Sequence, residues 1–264
     1  MSDIKSLPVM LKSLRLPSVQ HHYERIARQA QSEEWSYERY LKELIEIEMG
    51  DRGDRRTERL LKRSELPAGK TLATLEQKLL PIKVRRQLPG LCEGGFLDRA
   101  ENILIFGLPG RGKSHLAAAI TRELMMKRGC PAYFTSTHQL VERLLVAKQR
   151  LELEKELRKL DRFEVVVLDD IGYVQQSRDE MEVLFTFLAQ RYERRSLIIT
   201  SNLVFSEWDK IFKNPMTTAA AIDRLVHHSV ILELNNESYR ARAAKNRRKG
   251  KESTPGTAET TERR

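Results

Sequence analysis

The apolar positions of the first hundred residues recur at intervals of three and four, the period of a helix with one buried face. Ile4, Leu7, Leu11 and Leu14 mark one such stripe, which ends before Pro17. Val19, Tyr23, Ile26 and Ala30 mark a second. Tyr37, Tyr40, Leu41, Leu44 and Ile45 mark the buried side of a third, with Ser36 placed to cap it. A basic stretch follows, Arg52, Arg55, Arg56, Arg59, Lys62 and Arg63, and closes at Pro67 and Gly69. Gly50 and Gly53 interrupt it. Each costs about 1 kcal/mol against alanine inside a helix, so a break or bend is expected there.

From Asn102 onward short apolar runs alternate with helical segments. The runs are 103–106, 132–135, 165–168, 197–200 and 230–234, and the helical candidates are 114–127, 138–160, 179–194 and 217–227. Strands alternating with helices predict an α/β fold, a parallel sheet covered on both faces and preceded by a small all-helical domain. Beyond Tyr239 the chain is rich in Lys and Arg, then in Ser, Thr, Pro, Gly and Glu. Such a segment buries too little to offset its ordering entropy, so a disordered tail is expected. The expected organisation is a helical DNA- or partner-binding domain over 1–70, a connecting segment over 71–100, a core over 101–239 and a basic tail over 240–264.

Charge refines this picture. The chain has 264 residues and a net charge of +10. Its middle, 101–239, is neutral, whereas residues 240–264 carry net +6. A polyanionic partner therefore meets the two ends more readily than the middle. No apolar run approaches the roughly 20 residues of a membrane span, and the N-terminus lacks the apolar core of a secretory signal. Cys92 and Cys130 stand far apart with no further ligand at metal spacing. Together these features predict a cytoplasmic protein with reduced thiols and no membrane partner. The pairs His21-His22 and His227-His228 have no acid or thiol at ligand spacing and read as core or capping residues.

The chemistry is concentrated after the first predicted strand. Gly107-Leu108-Pro109-Gly110-Arg111-Gly112-Lys113-Ser114 fits G-x-x-x-x-G-K-[ST] in full, between a strand and a helix. In such a loop backbone N–H groups turn inward around phosphate oxygens at the positive end of the following helix. Lys113 would reach the β- and γ-phosphates of ATP, and the Ser114 hydroxyl would ligate Mg2+. A phosphate loop predicts acids at the end of a later buried strand, and Val165-Val166-Val167-Leu168-Asp169-Asp170 supplies them. Asp169 would hold the magnesium, directly or through water, and Asp170 would position or deprotonate the attacking water. Asn202, after Thr200-Ser201, would sit beside the same site if its strand neighbours the other two.

Gly107 to His115, Val165 to Gly172, Thr200-Ser201-Asn202 and Asp223-Arg224-Leu225 resemble the AAA+ ATPases of the helicase-loader and initiator group. Within it the sequence is similar to the IstB-like transposition helper ATPases of insertion sequences, through 102–119, 165–173, 200–229 and the run 40–67. The resemblance covers roughly residues 5 to 240 and implies a P-loop AAA+ core. It implies that Asn202 takes the sensor-1 place and Arg224 that of an arginine finger, reaching the γ-phosphate of a neighbouring subunit in a homo-oligomer. Arg240 matches a sensor-2-like group. Arg111 departs from the Ser or Thr usual at its place, and Asp170 stands where most members have Glu. The shorter side chain implies slow hydrolysis. In that group an extra helix corresponding to 140–160 faces DNA, and here it carries Arg143, Lys148, Arg150, Lys155, Arg158 and Lys159 among acids.

The expected function is thus ATP-controlled assembly on duplex DNA that delivers a target to a transposase. A replicative helicase loader shares every ATPase residue named. A nucleotide-binding scaffold without turnover is disfavoured by Asp169, Asp170 and Arg224.

Overall fold

The computed structural model describes residues 6–173, 177–208 and 215–235. Ile4, Arg240 and the tail over 240–264 lie outside the described residues. The chain divides into two compact units, 1–60 and 61–264.

In the first unit the predicted stripes become α1 (Leu7–Ser13), α2 (Pro17–Ser32) and α3 (Tyr37–Arg63). Leu11, Val19, Ile26 and Leu44 form its small core, with Leu7, Leu16, Tyr23, Trp35, Tyr40 and Ile47 packed around them. Pro17 opens α2, where its missing N–H costs nothing. The two amides that follow would be orphaned, and the buried Glu48 of α3 accepts both, from Ser18 N–H at 2.8 Å and Val19 N–H at 3.2 Å. Arg52 donates to the other oxygen of Glu48 at 2.8 Å, and Arg55 at 3.4 Å.

Three sequence expectations fail in this unit, the first being Leu14, which lies past the end of α1 and is exposed. The third helix runs unbroken through Gly50 and Gly53, where an added Cβ would meet nothing within 4 Å. Its turn is held by the Glu48–Arg52 and Glu48–Arg55 bonds, which oppose the weak propensity of the two glycines. Tyr37, Leu41 and Ile45 are exposed rather than buried, because the packed stripe of α3 runs through Tyr40, Leu44 and Ile47. Ser36 does cap the helix, accepting from Arg39 N–H at 3.3 Å.

The second unit begins ten residues before the expected boundary of 70. Phe134 N–H donates to Ser64 O at 2.7 Å, and Arg122 to Pro67 O at 3.4 Å, which ties this stretch to the α/β core. Helices α4 (Ile82–Glu93) and α5 (Gly95–Asp98) lead to β1 (Asn102–Phe106). Then follow α6 (Lys113–Arg128), β2 (Ala132–Ser136), α7 (Thr137–Gln149), α8 (Leu153–Leu160) and β3 (Val165–Asp169). The unit continues with α9 (Arg178–Arg191), β4 (Ser196–Ser201), α10 (Pro215–Val226) and β5 (Ser229–Glu233). The predicted helix over 138–160 is two helices, parted by exposed Leu151 at a φ of 57°.

All described strand pairings are parallel, in the order β2-β3-β4-β1-β5. Alternate residues Leu104, Phe106, Val166, Leu168, Leu197 and Ile199 pack against α7, α8, α9 and α10. Helix α6 packs on β1, β3 and β4 through its own buried side chains. This two-sided covering is why the strands read as continuous apolar runs instead of alternating ones. At the base of β3 and β4 the buried Arg191 guanidinium donates to the carbonyls of Leu160, Phe163, Glu164 and Ser196. Burial pushes it down to about 9, still a cation at neutral pH. Strands β1, β3 and β4 lie side by side, so their C-terminal ends open onto one crevice, the usual ligand position in parallel sheets.

Candidate nucleotide site

The loop 107–112 leaves β1 in the crevice. Gly112 adopts a φ of 88°, a left-handed conformation costly for other residues, and thereby turns the chain into the first turn of α6. The first amides of α6 therefore have no helical acceptor, and they line the loop as donors at the positive end of the helix dipole. Lys113 is buried, and its ammonium donates to Gly107 O at 2.6 Å and Leu108 O at 3.2 Å. The loop thus folds around its own cation. Ser114 follows at the same helix end.

Asp169 closes β3, and Asp170 follows it with a φ of 62°, an uncommon left-handed conformation for a residue with a side chain. Thr200, near the end of the neighbouring β4, fixes both. Its hydroxyl donates to Asp169 Oδ1 at 2.7 Å and accepts from Asp170 N–H at 2.8 Å. One carboxylate oxygen of Asp170 is buried without a hydrogen-bond partner. Burial raises the Asp170 carboxyl above the ordinary aspartate value, and the Asp169 charge raises it further, while the Lys113 ammonium partly offsets both. A half-buried carboxylate with one unpaired oxygen, near a lysine, is a candidate proton acceptor.

Asn202 lies just beyond β4, and its Oδ1 is likewise buried without a partner. Its approach is set by Gly172, where a Cβ would come within 2.3 Å of that oxygen. A cavity of about 490 Å³ adjoins the phosphate loop, lined by Phe106, Gly107, Leu108, Arg111, Asn202 and Leu234 among others.

The donor set fits ATP with magnesium. Ser114 and Asp169 offer hard oxygens, as Mg2+ prefers, and the helix N-terminus with Lys113 offers the positive end a polyphosphate needs. Gly107, Leu108, Pro109, Gly110, Arg111, Gly112, Lys113, Ser114, Asp169, Asp170 and Asn202 all fall at the C-terminal ends of β1, β3 and β4. Arg224 is placed differently, on α10. Its guanidinium lies 4.7 Å from the ring centre of Phe185 on α9, and its Nη1 is buried without a partner. Among the described residues no hydrogen bond or ion pair joins it to the loop 107–114. Arg240 is outside the described residues.

Sequence reasoning missed the roles of Thr200 and Gly172. A threonine ending an apolar strand beside an acidic strand end was the available signal for the first, and the glycine after Asp169-Asp170-Ile171 for the second. It also missed His115, whose Nε2 lies 3.0 Å from both Thr74 Oγ1 and Thr71 O. Of the cations noted on 140–160, four are paired. Arg143 and Lys159 bind Glu156, Lys148 binds Asp179 and Glu182, and Lys155 binds Glu152. Cys92 and Cys130 are buried and unpaired, their thiols pushed by burial up to about 11 and about 12, too high for thiolate chemistry at neutral pH. Among the described residues no helix is long and apolar enough to cross a membrane.

Fold and loop together define a P-loop protein of the AAA+ class. The crystal structure of the DnaC helicase loader superposes with a TM-score of 0.53, covering 67% of this chain and 99% of that one at 20% identity. The sequence is more specific. A family model described as IstB-like ATP binding protein matches residues 9–248, and the chain belongs to that family. An insertion-sequence ATP-binding protein of Sinorhizobium fredii is 44% identical over 92% of this chain and 81% of its own length. The ATP-binding protein of insertion sequence IS5376 from Geobacillus stearothermophilus is 38% identical over 87% of this chain and 91% of its own.

Proposed function

We propose that this chain is an ATP-hydrolysing AAA+ regulator of an insertion sequence, which assembles on duplex DNA and delivers it to a transposase. The observation that carries the ATPase reading is the Asp169–Thr200–Asp170 arrangement facing the phosphate loop. Gly107 to Ser114 cradle the phosphates, with Lys113 leaving its carbonyl partners to contact them. Ser114 and Asp169 hold the magnesium, which supplies charge neutralisation on the phosphate oxygens when bound. Asp170 takes the proton of the attacking water, and Asn202 orients that water. Arg224 completes the site of a neighbouring subunit, so turnover reports assembly.

The relatives' names support the insertion-sequence context, and their identity and coverage favour it over a helicase loader, whose likeness is one of fold. The basic run Arg52 to Arg63 and the net +6 over 240–264 supply cations for backbone-directed duplex contact. The test uses an insertion-sequence transposase from the same element and a labelled duplex. ATP should be required for a nuclease footprint and for strand transfer into the protected duplex, and Lys113→Ala should lose both. Footprinting and target capture that proceed equally without ATP would refute the proposal.

A further inference from the structure

The fold brings to His227 and His228 a carboxylate that is distant from them in sequence. Glu193, in the turn between α9 and β4, comes to them, and one ligand atom from each of the three residues lies within 4.8 Å of the others. The two imidazole rings meet edge to face at 4.2 Å between centroids, and His228 Nε2 lies 3.7 Å from Glu193 Oε1. The hydroxyl of Tyr192 is 3.2 Å from His227 Nδ1. With Nδ1 donating to that hydroxyl, the Nε2 lone pair of His227 is left for a ligand.

We propose that Glu193, His227 and His228 bind a divalent transition metal of the zinc class, through two imidazole nitrogens and one carboxylate oxygen, with water completing the shell. This donor set suits borderline metals and disfavours Mg2+, which demands oxygens in an octahedron. Zn–N bonds of about 2.0–2.1 Å set ligand atoms roughly 3.3 Å apart, so the three side chains must close inward. All three are exposed, and the movement needs only side-chain rotation. Tyr192 serves as the outer partner that orients His227, as ligating histidines require.

The surroundings favour a cation for a second reason. Helix α9 ends at Arg191 and α10 at Val226, so both present their C-terminal, partially negative ends to this cluster. These are also the two helices joined by the stacking of Arg224 on Phe185. A metal held by the turn after α9 and the link after α10 therefore ties both helix ends together, and stiffens the helix that carries Arg224. The site is separate from the nucleotide crevice, lying at the N-terminal edge of the sheet where β4 and β5 begin.

The test titrates Co2+ into the nucleotide-free full chain and follows visible absorption, with Zn2+ and Mg2+ as competitors. One equivalent should bind with a nitrogen- and oxygen-ligand spectrum free of thiolate charge-transfer bands, displaced by Zn2+ and not by Mg2+. His227→Ala/His228→Ala and Glu193→Gln should each weaken binding by about 10–100-fold. The pair His21→Ala/His22→Ala, whose rings also meet, should leave it unchanged. Zn2+ should slow amide exchange across 218–226 in the parent and not in the double variant. Absence of a saturable one-to-one phase, or one surviving His227→Ala/His228→Ala, would overturn the site. Binding without slower exchange would overturn the clamp.

Discussion

Thr200 donates its hydroxyl hydrogen to Asp169 Oδ1 over 2.7 Å. The Thr200 hydroxyl oxygen accepts from the Asp170 amide, so one side chain of β4 aligns both acids at the end of β3. Thr200 is fully buried, and water cannot replace it. Thr200→Val keeps the shape and removes both bonds, leaving a buried amide unpaired. Stability should fall by about 1–3 kcal/mol. Nucleotide affinity without magnesium should hold, while its tightening by Mg2+ should shrink by about 10–100-fold. Calorimetric titration with and without Mg2+ checks this, and an undiminished Mg2+ effect would deny Thr200 its role.

Asp170 carries a pH signature. Its carboxyl is raised in the fold, chiefly by burial and next by Asp169, so ionising it costs stability. That cost begins as pH rises above the ordinary aspartate value of 3.8 and is complete once pH passes the raised folded value. Asp170→Asn removes it, and asparagine tolerates the left-handed φ of 62°. The variant without nucleotide should therefore melt higher than the parent at neutral pH, with the difference vanishing below 3.8. It should bind ATP and fail to turn it over. Turnover near the parent rate would assign the proton acceptor elsewhere.

Glu48 predicts the opposite pH dependence. Burial alone would raise its carboxyl, but hydrogen bonds from Arg52 and from the Val19 and Ser18 amides hold it below the ordinary value. A depressed acid contributes stability that is present above the ordinary glutamate value of 4.5 and is lost as pH falls through the folded value. A unit of about 60 residues has little reserve. Glu48→Ala should cost about 1–3 kcal/mol by uncapping α2. Circular dichroism melts at neutral and acid pH check it, with the gap between parent and variant closing in acid.

What the sequence made legible follows from how local each signal is. Gly107 to Ser114 are contiguous and sit between a strand and a helix, so pattern and chemistry coincide. The five strands were legible because a parallel sheet buried on both faces writes unbroken apolar runs. Contacts between distant segments were not. Phe185 beneath Arg224, Glu193 beside His227 and His228, and Thr200 beside Asp169 meet only once β3, β4 and α10 are arranged. The continuity of α3 through Gly50 and Gly53 was hidden because a propensity of about 1 kcal/mol per glycine is outweighed by the Glu48 ion pairs. Tyr37, Leu41 and Ile45 share a helical period with Leu44, but they lie off the stripe that α3 packs inward.

In the proposed assembly the phosphate cradle of one subunit is completed by Arg224 of the next. Lys113→Ala should neither bind ATP nor hydrolyse it, and Arg224→Ala should bind ATP without hydrolysing it. Mixed on duplex DNA, with co-assembly verified by crosslinking, they form interfaces joining an intact cradle to an intact Arg224. The decisive measurement is the ATPase rate of that mixture. Activity should return in part, rising and falling with the mixing ratio. A co-assembled mixture with no activity, or full activity of Arg224→Ala alone at low protein concentration, would contradict it.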